Sequence, residues 1–201
     1  MCLFIETICV SDGKVKALEY HQQRLNRTLQ YFYPIAAIDL KAFTDSLDLP
    51  MSGTYRLTIT YGRDVIDYKM VPYNIRSIER FVCVEAPDIR YDFKYENRDA
   101  LNLCRDLVGE NEEPILIQNG LVTDTTYTNL IFYRDGRWFT PKEPLLKGTQ
   151  RQFLLEQKLI ETCDIYQHDL HLYEKFRPIN AMMGWDNAPC FSIIEHLVDS
   201  L

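Results

Sequence analysis

Residues 115–133 read ILIQNGLVTDTTYTNLIFY, and this stretch decides the fold class. Its two apolar runs, Ile115–Gln118 and Asn129–Tyr133, predict strands, because such side chains suit a half-buried pleated surface. Asn119-Gly120 follows the first run, and Asp135-Gly136 follows the second. Asp135-Gly136 is typical of a tight hairpin turn. We therefore expect a β-sheet with short connections at the centre of the chain.

Outward from this centre, strands and helices alternate irregularly. Apolar runs and alternation predict further strands at 2–10, 15–18, 55–60, 65–71 and 81–84. Apolar residues at helical spacing predict helices at 19–32, 40–47, 97–108 and 149–160. The order lacks the regular βαβ alternation of a Rossmann domain. It predicts an α+β chain of two lobes, linked near residues 72–74: a small α/β domain over 1–73 and a larger one over 74–201.

Composition limits the partners. The 201 residues carry a net charge of −7 without a cluster of Lys or Arg, which argues against nucleic acid and anionic membranes. No apolar run is long enough to span a bilayer, and the apolar N-terminus contains Glu6. We expect a cytoplasmic protein that acts on a small molecule, which can itself be an anion.

Cysteine and histidine positions predict neither disulfides nor a metal site. The six cysteines are scattered and form no Cys-x-x-Cys pair, so we expect free thiols in a reducing compartment. The four histidines lack the close spacing of metal ligands. The cysteines are Cys2, Cys9, Cys83, Cys104, Cys163 and Cys190; the histidines are His21, His168, His171 and His196.

Lys94 is a candidate for covalent chemistry. It lies between Phe93 and Tyr95, and aromatic neighbours can desolvate an ammonium and lower its pKa, as a Schiff-base lysine requires. The alternative is an exposed lysine whose methylene groups cover aromatic rings.

Residues 147–152 are a candidate anion site. Thr149 and Gln152 have the spacing of a capping box at the start of a predicted helix, and Gly148 precedes them. A helix start offers backbone N–H groups and a favourable dipole to a phosphate, although most capped helices bind nothing. Asp124 could pair with a cationic ring nitrogen or could simply form a turn. Arg24 alone would be a solvated helix residue.

In order, these segments resemble the fold-type IV pyridoxal 5'-phosphate (PLP) enzymes, which include the class IV aminotransferases and aminodeoxychorismate lyase. The resemblance runs from about Phe4 to Gly184 and implies a D-amino acid aminotransferase-like fold, here shortened at its N-terminus. The matching blocks are Phe4–Thr7, His21–Leu25, Lys94–Arg98, Gly120–Phe132, Asp135-Gly136 with Thr140-Pro141, and Leu145–Gln152.

The resemblance implies a role for each block. Lys94 would form the Schiff base with PLP, Arg24 would contact its phosphate, and Asp124 would pair with its pyridine nitrogen. A homodimer is implied as well. The remaining cofactor-binding residues would be Asn97, Arg98, Thr125, Thr126, Gly148, Thr149, Gln150, Asn180 and Ala181.

Within the family, short cues favour the lyase branch. Lys94-x-x-Asn97-Arg98 and residues 179–183 are similar to lyase segments, and Thr7 aligns with a threonine associated with lyase chemistry. The implied reaction converts 4-amino-4-deoxychorismate into p-aminobenzoate and pyruvate, a step toward folate. The alternatives are an aminotransferase of branched-chain or D-amino acids and a non-catalytic paralogue that binds PLP or another metabolite.

Three departures from the family pattern change individual roles. Asp124 stands in place of the usual glutamate, and Gln150 in place of a frequent threonine in the phosphate loop. Tyr61 replaces a frequent arginine, so we expect the substrate carboxylate to be bound around Tyr61 by Arg56 or Arg63.

Overall fold

The computed structural model describes residues 2–198, which form two compact units. The first unit comprises the described residues up to Ile75 together with Phe93–Asn97. The second comprises Arg76–Asp92 and the described residues from Arg98 onward. The division expected after residue 73 thus lies two residues later. The lysine segment also belongs to the first unit, which corrects its predicted place in the C-terminal domain.

The first unit is a four-stranded antiparallel sheet with helices on one face. The strand order is β2-β1-β3-β4. Asp12 and Gly13 join the first two strands with φ of 49° and 73°, as a two-residue hairpin turn requires. The elements are β1 Phe4–Ser11, β2 Lys14–Val15, α1 Leu18–Phe32, α2 Leu40–Asp45, β3 Thr54–Tyr61 and β4 Val65–Pro72.

Strand alternation separates the two faces of this sheet. Phe4 and Ile8 of β1 are fully buried and pack with Leu25 of α1 in the core of the unit. Between them Glu6 points to the same face, since side chains two apart on a strand share a face. Thr7 lies on the other face and is half-buried. The sheet therefore has a core face under α1 and a second face that carries Thr7.

The lysine segment extends the edge of this sheet. The N–H of Ile5 donates to the carbonyl of Lys94 at 2.9 Å, and Phe4 and Tyr95 form a β-bridge. Tyr95 N–H also donates to the carbonyl of Phe93 at 2.9 Å, so Lys94 is at the centre of a three-residue turn. The rings of Phe93 and Tyr95 pack against the core. Burial of these two rings explains why the segment belongs to the first unit.

The second unit contains two sheets, with strand orders β10-β9-β8-β11-β12 and β13-β5-β6-β7. They share a core in which Phe81, Phe132 and Phe176 are fully buried. The strands are β5 Arg80–Glu85, β6 Glu112–Gln118, β7 Leu121–Thr125, β8 Asn129–Arg134, β9 Arg137–Pro141, β10 Glu161–Cys163, β11 Lys175–Ile179, β12 Phe191–Ser192 and β13 Leu197–Val198. The helices are α3 Asp99–Arg105, α4 Thr149–Glu156 and α5 Ile193–His196, with a 3₁₀ helix at Gln167–Leu172.

The hairpin turn predicted at Asp135-Gly136 forms, and a second turn forms at Asn119-Gly120. Asn119-Gly120 joins β6 to β7 and Asp135-Gly136 joins β8 to β9, each with positive φ at both residues. Strand β7 itself was not predicted, because it carries the polar residues Thr123 and Asp124. Both are buried, and Thr123 Oγ1 donates to the carbonyl of Leu116 at 2.8 Å. Side-chain hydrogen bonds thus allow a polar strand to lie in a buried sheet.

Candidate active site

Lys94, the predicted Schiff-base residue, is half-buried in the first unit. Its carbonyl is bound to Ile5, and aromatic rings flank it on both sides in the sequence. Thr7 is two residues beyond Ile5 on β1 and points to the same strand face as Ile5. The structure therefore places the two predicted catalytic residues on neighbouring stretches of backbone. Asn97, at the end of the lysine segment, is exposed.

Arg24 is held in a buried ion-pair network. Its guanidinium donates twice to Glu6, from Nε to Oε1 at 2.9 Å and from Nη2 to Oε2 at 2.5 Å. The Nδ1 atom of His21 lies 2.6 Å from the same Oε2. Glu6 and His21 are fully buried, and Arg24 is 7% exposed. Two bonds to one carboxylate fix the plane of the guanidinium.

Electrostatics define the protonation states in this network. Burial alone would raise the pKa of Glu6, but the charge and hydrogen bonds of Arg24 and His21 lower it to about 2. Burial lowers the pKa of His21 although its hydrogen bond to Glu6 opposes the shift. At neutral pH the pair is therefore a carboxylate and a neutral imidazole that donates from Nδ1. The Nε2 atom of His21 is buried and has no hydrogen-bond partner among the described residues.

The three predicted substrate-binding residues lie in different places. Tyr61 is fully buried in the core of the first unit, and burial raises its pKa above its ordinary value. Arg63 is exposed in the turn between β3 and β4. Arg56 is exposed and pairs in register with Cys9, two residues from Thr7 on β1. Arg56 therefore shares a sheet face with Thr7, whereas Tyr61 points to the opposite face.

Asp124 is buried in the second unit and accepts hydrogen bonds on both oxygens. Asn129 Nδ2 donates to Oδ1 at 2.7 Å, and the N–H of Leu146 donates to Oδ2 at 2.9 Å. Burial raises the pKa of Asp124 to about 7, although these hydrogen bonds and the charge of Arg151 oppose the shift. A carboxyl group with such a pKa can share a proton near neutral pH.

The predicted capping box at the start of α4 is wrong. Gly148, not Thr149, is the N-cap residue, and no side chain caps the helix. The amide of Gln152 donates instead to Glu156 one turn later, at 2.8 Å. A Cβ at Gly148 would lie 2.0 Å from Oδ1 of Asn129, so the close approach of this side chain requires glycine. The predicted helix start is correct, but packing rather than a cap determines it.

Residues 125–128 form a turn with internal partners. Thr125 Oγ1 and Thr128 Oγ1 are hydrogen-bonded at 2.8 Å. The carboxylate of Glu113 accepts from both the N–H and the hydroxyl of Thr126, at 3.1 Å and 2.5 Å. Arg98 donates to the carbonyl of Thr126 at 2.6 Å. The hydrogen bonds of Arg98, Thr125 and Thr126 thus fix the shape of this turn.

Asn180 lies in the loop after β11, and Gln150 lies in the first turn of α4. Asn180 Oδ1 accepts from the N–H groups of Met182 and Met183 at 2.8 Å and 3.0 Å, so its side chain stabilises its own turn, which includes the half-buried Ala181. A Cβ at Gly184 would lie 3.5 Å from the amide of Gln150. The structure thus brings the loop after Asn180 next to the start of α4.

Several polar residues that support these sites were not predicted. Glu113 follows another glutamate and precedes a proline, which is typical of a surface segment, yet it is fully buried. Arg76 donates to it at 2.9 Å. Asn129 was predicted only as the start of a strand. A sequence signal existed for Glu6, since a charged residue within an apolar strand calls for a buried partner.

Each unit, taken by itself, offers polar groups of the kind that PLP requires. The first unit offers an amine, Lys94, and a cation with a fixed plane, Arg24. The second offers the buried carboxyl group of Asp124 and the start of α4, which follows Gly148. A Cβ at Gly148 would clash with the side chain of Asn129. Within residues 2–198, His, Cys, Asp and Glu side chains form no cluster suited to a metal ion. None of the described helices is both long and apolar enough to cross a bilayer.

Comparisons with known proteins agree on the fold. Residues 3–187 match the family model described as amino-transferase class IV. An uncharacterised protein of Haemophilus influenzae is 33% identical over 182 residues, which are 89% of this chain and 97% of the relative.

Two crystal structures are similar to this chain. One, from Haemophilus somnus 129pt, is provisionally named a 4-amino-4-deoxychorismate lyase; it is 36% identical, with a TM-score of 0.82 over 92% of this chain and 98% of that one. The other, from Mesorhizobium loti, is provisionally named an amino-acid aminotransferase. It is 19% identical, with a TM-score of 0.81 over 98% of this chain and all of that one. These matches confirm the predicted fold class.

Proposed function

This chain belongs to the amino-transferase class IV family, and on that premise we propose that it is a lyase that forms p-aminobenzoate and pyruvate from 4-amino-4-deoxychorismate. Membership confirms the enzyme class, the family and the PLP cofactor that the sequence predicted. The observation that supports the lyase assignment is the position of Thr7 on β1, two residues beyond Ile5, whose N–H donates to the carbonyl of Lys94.

Each of the proposed site residues has a task in this reaction. PLP, when bound, supplies an electron sink for the substrate carbon that carries the amine. Lys94 would hold the cofactor covalently; once the substrate amine has taken its place, the freed amine of Lys94 would accept the proton from that carbon as a general base. Asp124 would balance the charge of the pyridine nitrogen. The resemblance assigns contacts with the phosphate to Arg24 and to the backbone N–H groups at the start of α4.

Thr7 is the residue that favours a lyase. Its side chain is half-buried, on the strand face opposite the core, and its register partner is Thr58 on β3. We assign its hydroxyl to relay the proton that Lys94 has accepted to the departing three-carbon enol, which leaves as pyruvate while the six-membered ring becomes aromatic.

Arg56 is the best candidate to bind the substrate carboxylate. It is exposed on the face that carries Thr7, and a guanidinium matches the geometry of a carboxylate. Arg63 lies in the hairpin turn and Tyr61 in the core, so neither position supports the role as well. The cytoplasmic location, the homodimer and the place in folate synthesis stay predictions from the sequence.

An aminotransferase is the second candidate. The Mesorhizobium loti structure has nearly the same TM-score as the lyase-like one, and a fold shared at 19% identity does not determine the reaction. In that case Lys94 would return the proton to the cofactor rather than support loss of pyruvate, and the hydroxyl of Thr7 would be dispensable.

A coupled assay separates the two reactions. Purified protein with PLP and 4-amino-4-deoxychorismate should release p-aminobenzoate and pyruvate without any 2-oxo acid acceptor. Thr7→Val should slow this release by about 100-fold, the usual contribution of a general acid, while Thr58→Val should not. Transfer of an amino group to 2-oxoglutarate without release of p-aminobenzoate would establish the aminotransferase instead. A protein that neither binds PLP nor turns over either substrate would be a non-catalytic paralogue.

A further inference from the structure

Asn129 is the centre of a buried network in the second unit. It lies at the start of β8 and is 6% exposed. Its Nδ2 atom donates to Oδ1 of Asp124 at 2.7 Å and to the carbonyl of Leu146 at 2.8 Å. An amide nitrogen has two hydrogens, so these two bonds use its full donor capacity.

Leu146 is bound through both of its backbone polar groups. Its N–H donates to Oδ2 of Asp124 at 2.9 Å, and its carbonyl accepts from Asn129. A neighbouring strand would bind a residue in the same way, with one acceptor and one donor. The side chains of Asp124 and Asn129 therefore fix the segment before α4 to the sheet.

The same asparagine also contacts the N-cap of α4. Its Oδ1 atom occupies the position where a side chain at Gly148 would begin, because a Cβ there would lie only 2.0 Å away. The amide thus packs against the backbone two residues after Leu146. One side chain determines both the path of the segment and the place where the helix begins.

The first N–H groups of a helix have no acceptor within the helix, so their position decides where an anion binds. We infer that Asn129 is a positioning residue, which holds the first N–H groups of α4 where they bind the phosphate of the cofactor. This inference rests on the proposed function for its ligand but not for its geometry. Asn129 itself need not touch the cofactor.

A matched pair of ligands isolates the phosphate contribution. PLP and pyridoxal differ only in the phosphate group. The Kd for pyridoxal divided by the Kd for PLP therefore measures how much the phosphate adds to binding. A variant that merely destabilised the unit would weaken both ligands and leave the ratio unchanged. A variant that displaces the start of α4 should reduce the ratio.

The experiment compares the full-length wild type with Asn129→Ala and with the control Asn111→Ala. Asn111 is exposed and donates one side-chain hydrogen bond, to Glu79 at 3.0 Å. Hydrogen exchange of the ligand-free proteins, resolved by peptide, reports on residues 142–152. Spectroscopic titrations with PLP and with pyridoxal give the Kd ratio.

For Asn129→Ala we expect exchange in residues 142–152 to accelerate about tenfold and the Kd ratio to fall about tenfold, as for the loss of one buried hydrogen-bonding group. Asn111→Ala should change neither quantity. Unchanged exchange in Asn129→Ala would overturn the inference whether or not PLP binds. Faster exchange with an unchanged ratio would also overturn it. Failure of the wild type to bind PLP would refute the proposed function and the ligand assigned here, while the exchange result still decides whether Asn129 holds the segment.

Discussion

Glu6 and Arg24 are eighteen residues apart in the sequence and form two hydrogen bonds in the interior of the first unit. The carboxylate is fully buried, and the guanidinium keeps its plane because both bonds end on the same group. His21 binds the carboxylate from one helical turn before Arg24. A strand and a helix thus share one ion pair, which couples the phosphate-binding role proposed for Arg24 to the interior of the sheet.

Glu6→Gln should weaken both the fold and the cofactor site. Loss of one partner from a buried ion pair leaves the other charge uncompensated, which costs roughly 3 kcal/mol of the free energy of unfolding. Arg24 would also lose its fixed plane, so we expect the Kd for PLP to rise about tenfold. Chemical denaturation and spectroscopic titration test the two effects. Glu19→Gln, on the exposed side of α1, is the control; equal effects of the two substitutions would contradict the prediction.

The same pair predicts a pH dependence of stability. The pKa of Glu6 is lowered from 4.5 to about 2, so its contribution is complete above pH 4.5 and is lost as the pH falls toward 2. The difference in free energy of unfolding between wild type and Glu6→Gln should therefore be constant above pH 5. Below it, the difference should shrink by on the order of 3 kcal/mol. Denaturation series at several pH values measure it; a constant difference down to pH 2.5 would rule out an ionised Glu6 in the fold.

Lys94→Ala should remove covalent binding of PLP and nearly all activity. Reduction of the wild type with borohydride in the presence of PLP should add the mass of the reduced cofactor to the peptide that contains residue 94. Turnover should fall by roughly three orders of magnitude, as expected for loss of a general base. Lys69→Ala, at an exposed position of β4, should behave like the wild type. Labelling of Lys94→Ala at the wild-type level would show that another lysine carries the cofactor.

Arg56→Ala should raise KM for the carboxylate substrate about tenfold and leave kcat within about twofold, because a charge-assisted hydrogen bond to a bound carboxylate contributes mainly to binding. Arg63→Ala should change KM by less than about twofold, since Arg63 is exposed in a turn between strands. Steady-state kinetics of both variants decide between the two arginines. A larger effect at Arg63 would reverse the assignment.

Gly148→Ala should be harmful only while Asn129 is present. The new Cβ would lie 2.0 Å from Oδ1 of Asn129, and such overpacking costs roughly 2 kcal/mol of stability. In Asn129→Ala the obstructing atom is gone, so the additional cost of Gly148→Ala should nearly vanish. Denaturation of the four proteins completes this double-mutant cycle. Gly109→Ala, whose Cβ would meet the flexible end of Glu112, is the control. Additive effects would contradict the close approach.

Much of the fold was predictable because local chemistry determined it. Asp135-Gly136 forms the expected turn, and helix α1 begins and ends within one residue of its prediction. Strand β7 was missed because its buried positions are polar. The lysine segment was assigned to the wrong unit, because its packing depends on rings that meet Phe4 only in the tertiary structure.

The candidate site was predictable where the chain resembles a known family, and much less so from the residues alone. Arg24 looked like a solvated helix residue, and only the buried Glu6 on β1 explains its position. Glu113 and Asn129 support their sites through contacts 13 and 17 residues away. Sequence spacing on one element gives no sign of such contacts.

The path of the chain through the Lys94 segment has a consequence for any attempt to express one unit without the other. The first unit is not one continuous piece of polypeptide, because Phe93–Asn97 joins it after the chain has already entered the second unit. A gene fragment that stops at Ile75 would encode a sheet without its bordering segment and without Lys94. Recombination between relatives, or a circular permutation, would therefore have to keep residues 93–97 with the N-terminal fragment to preserve both.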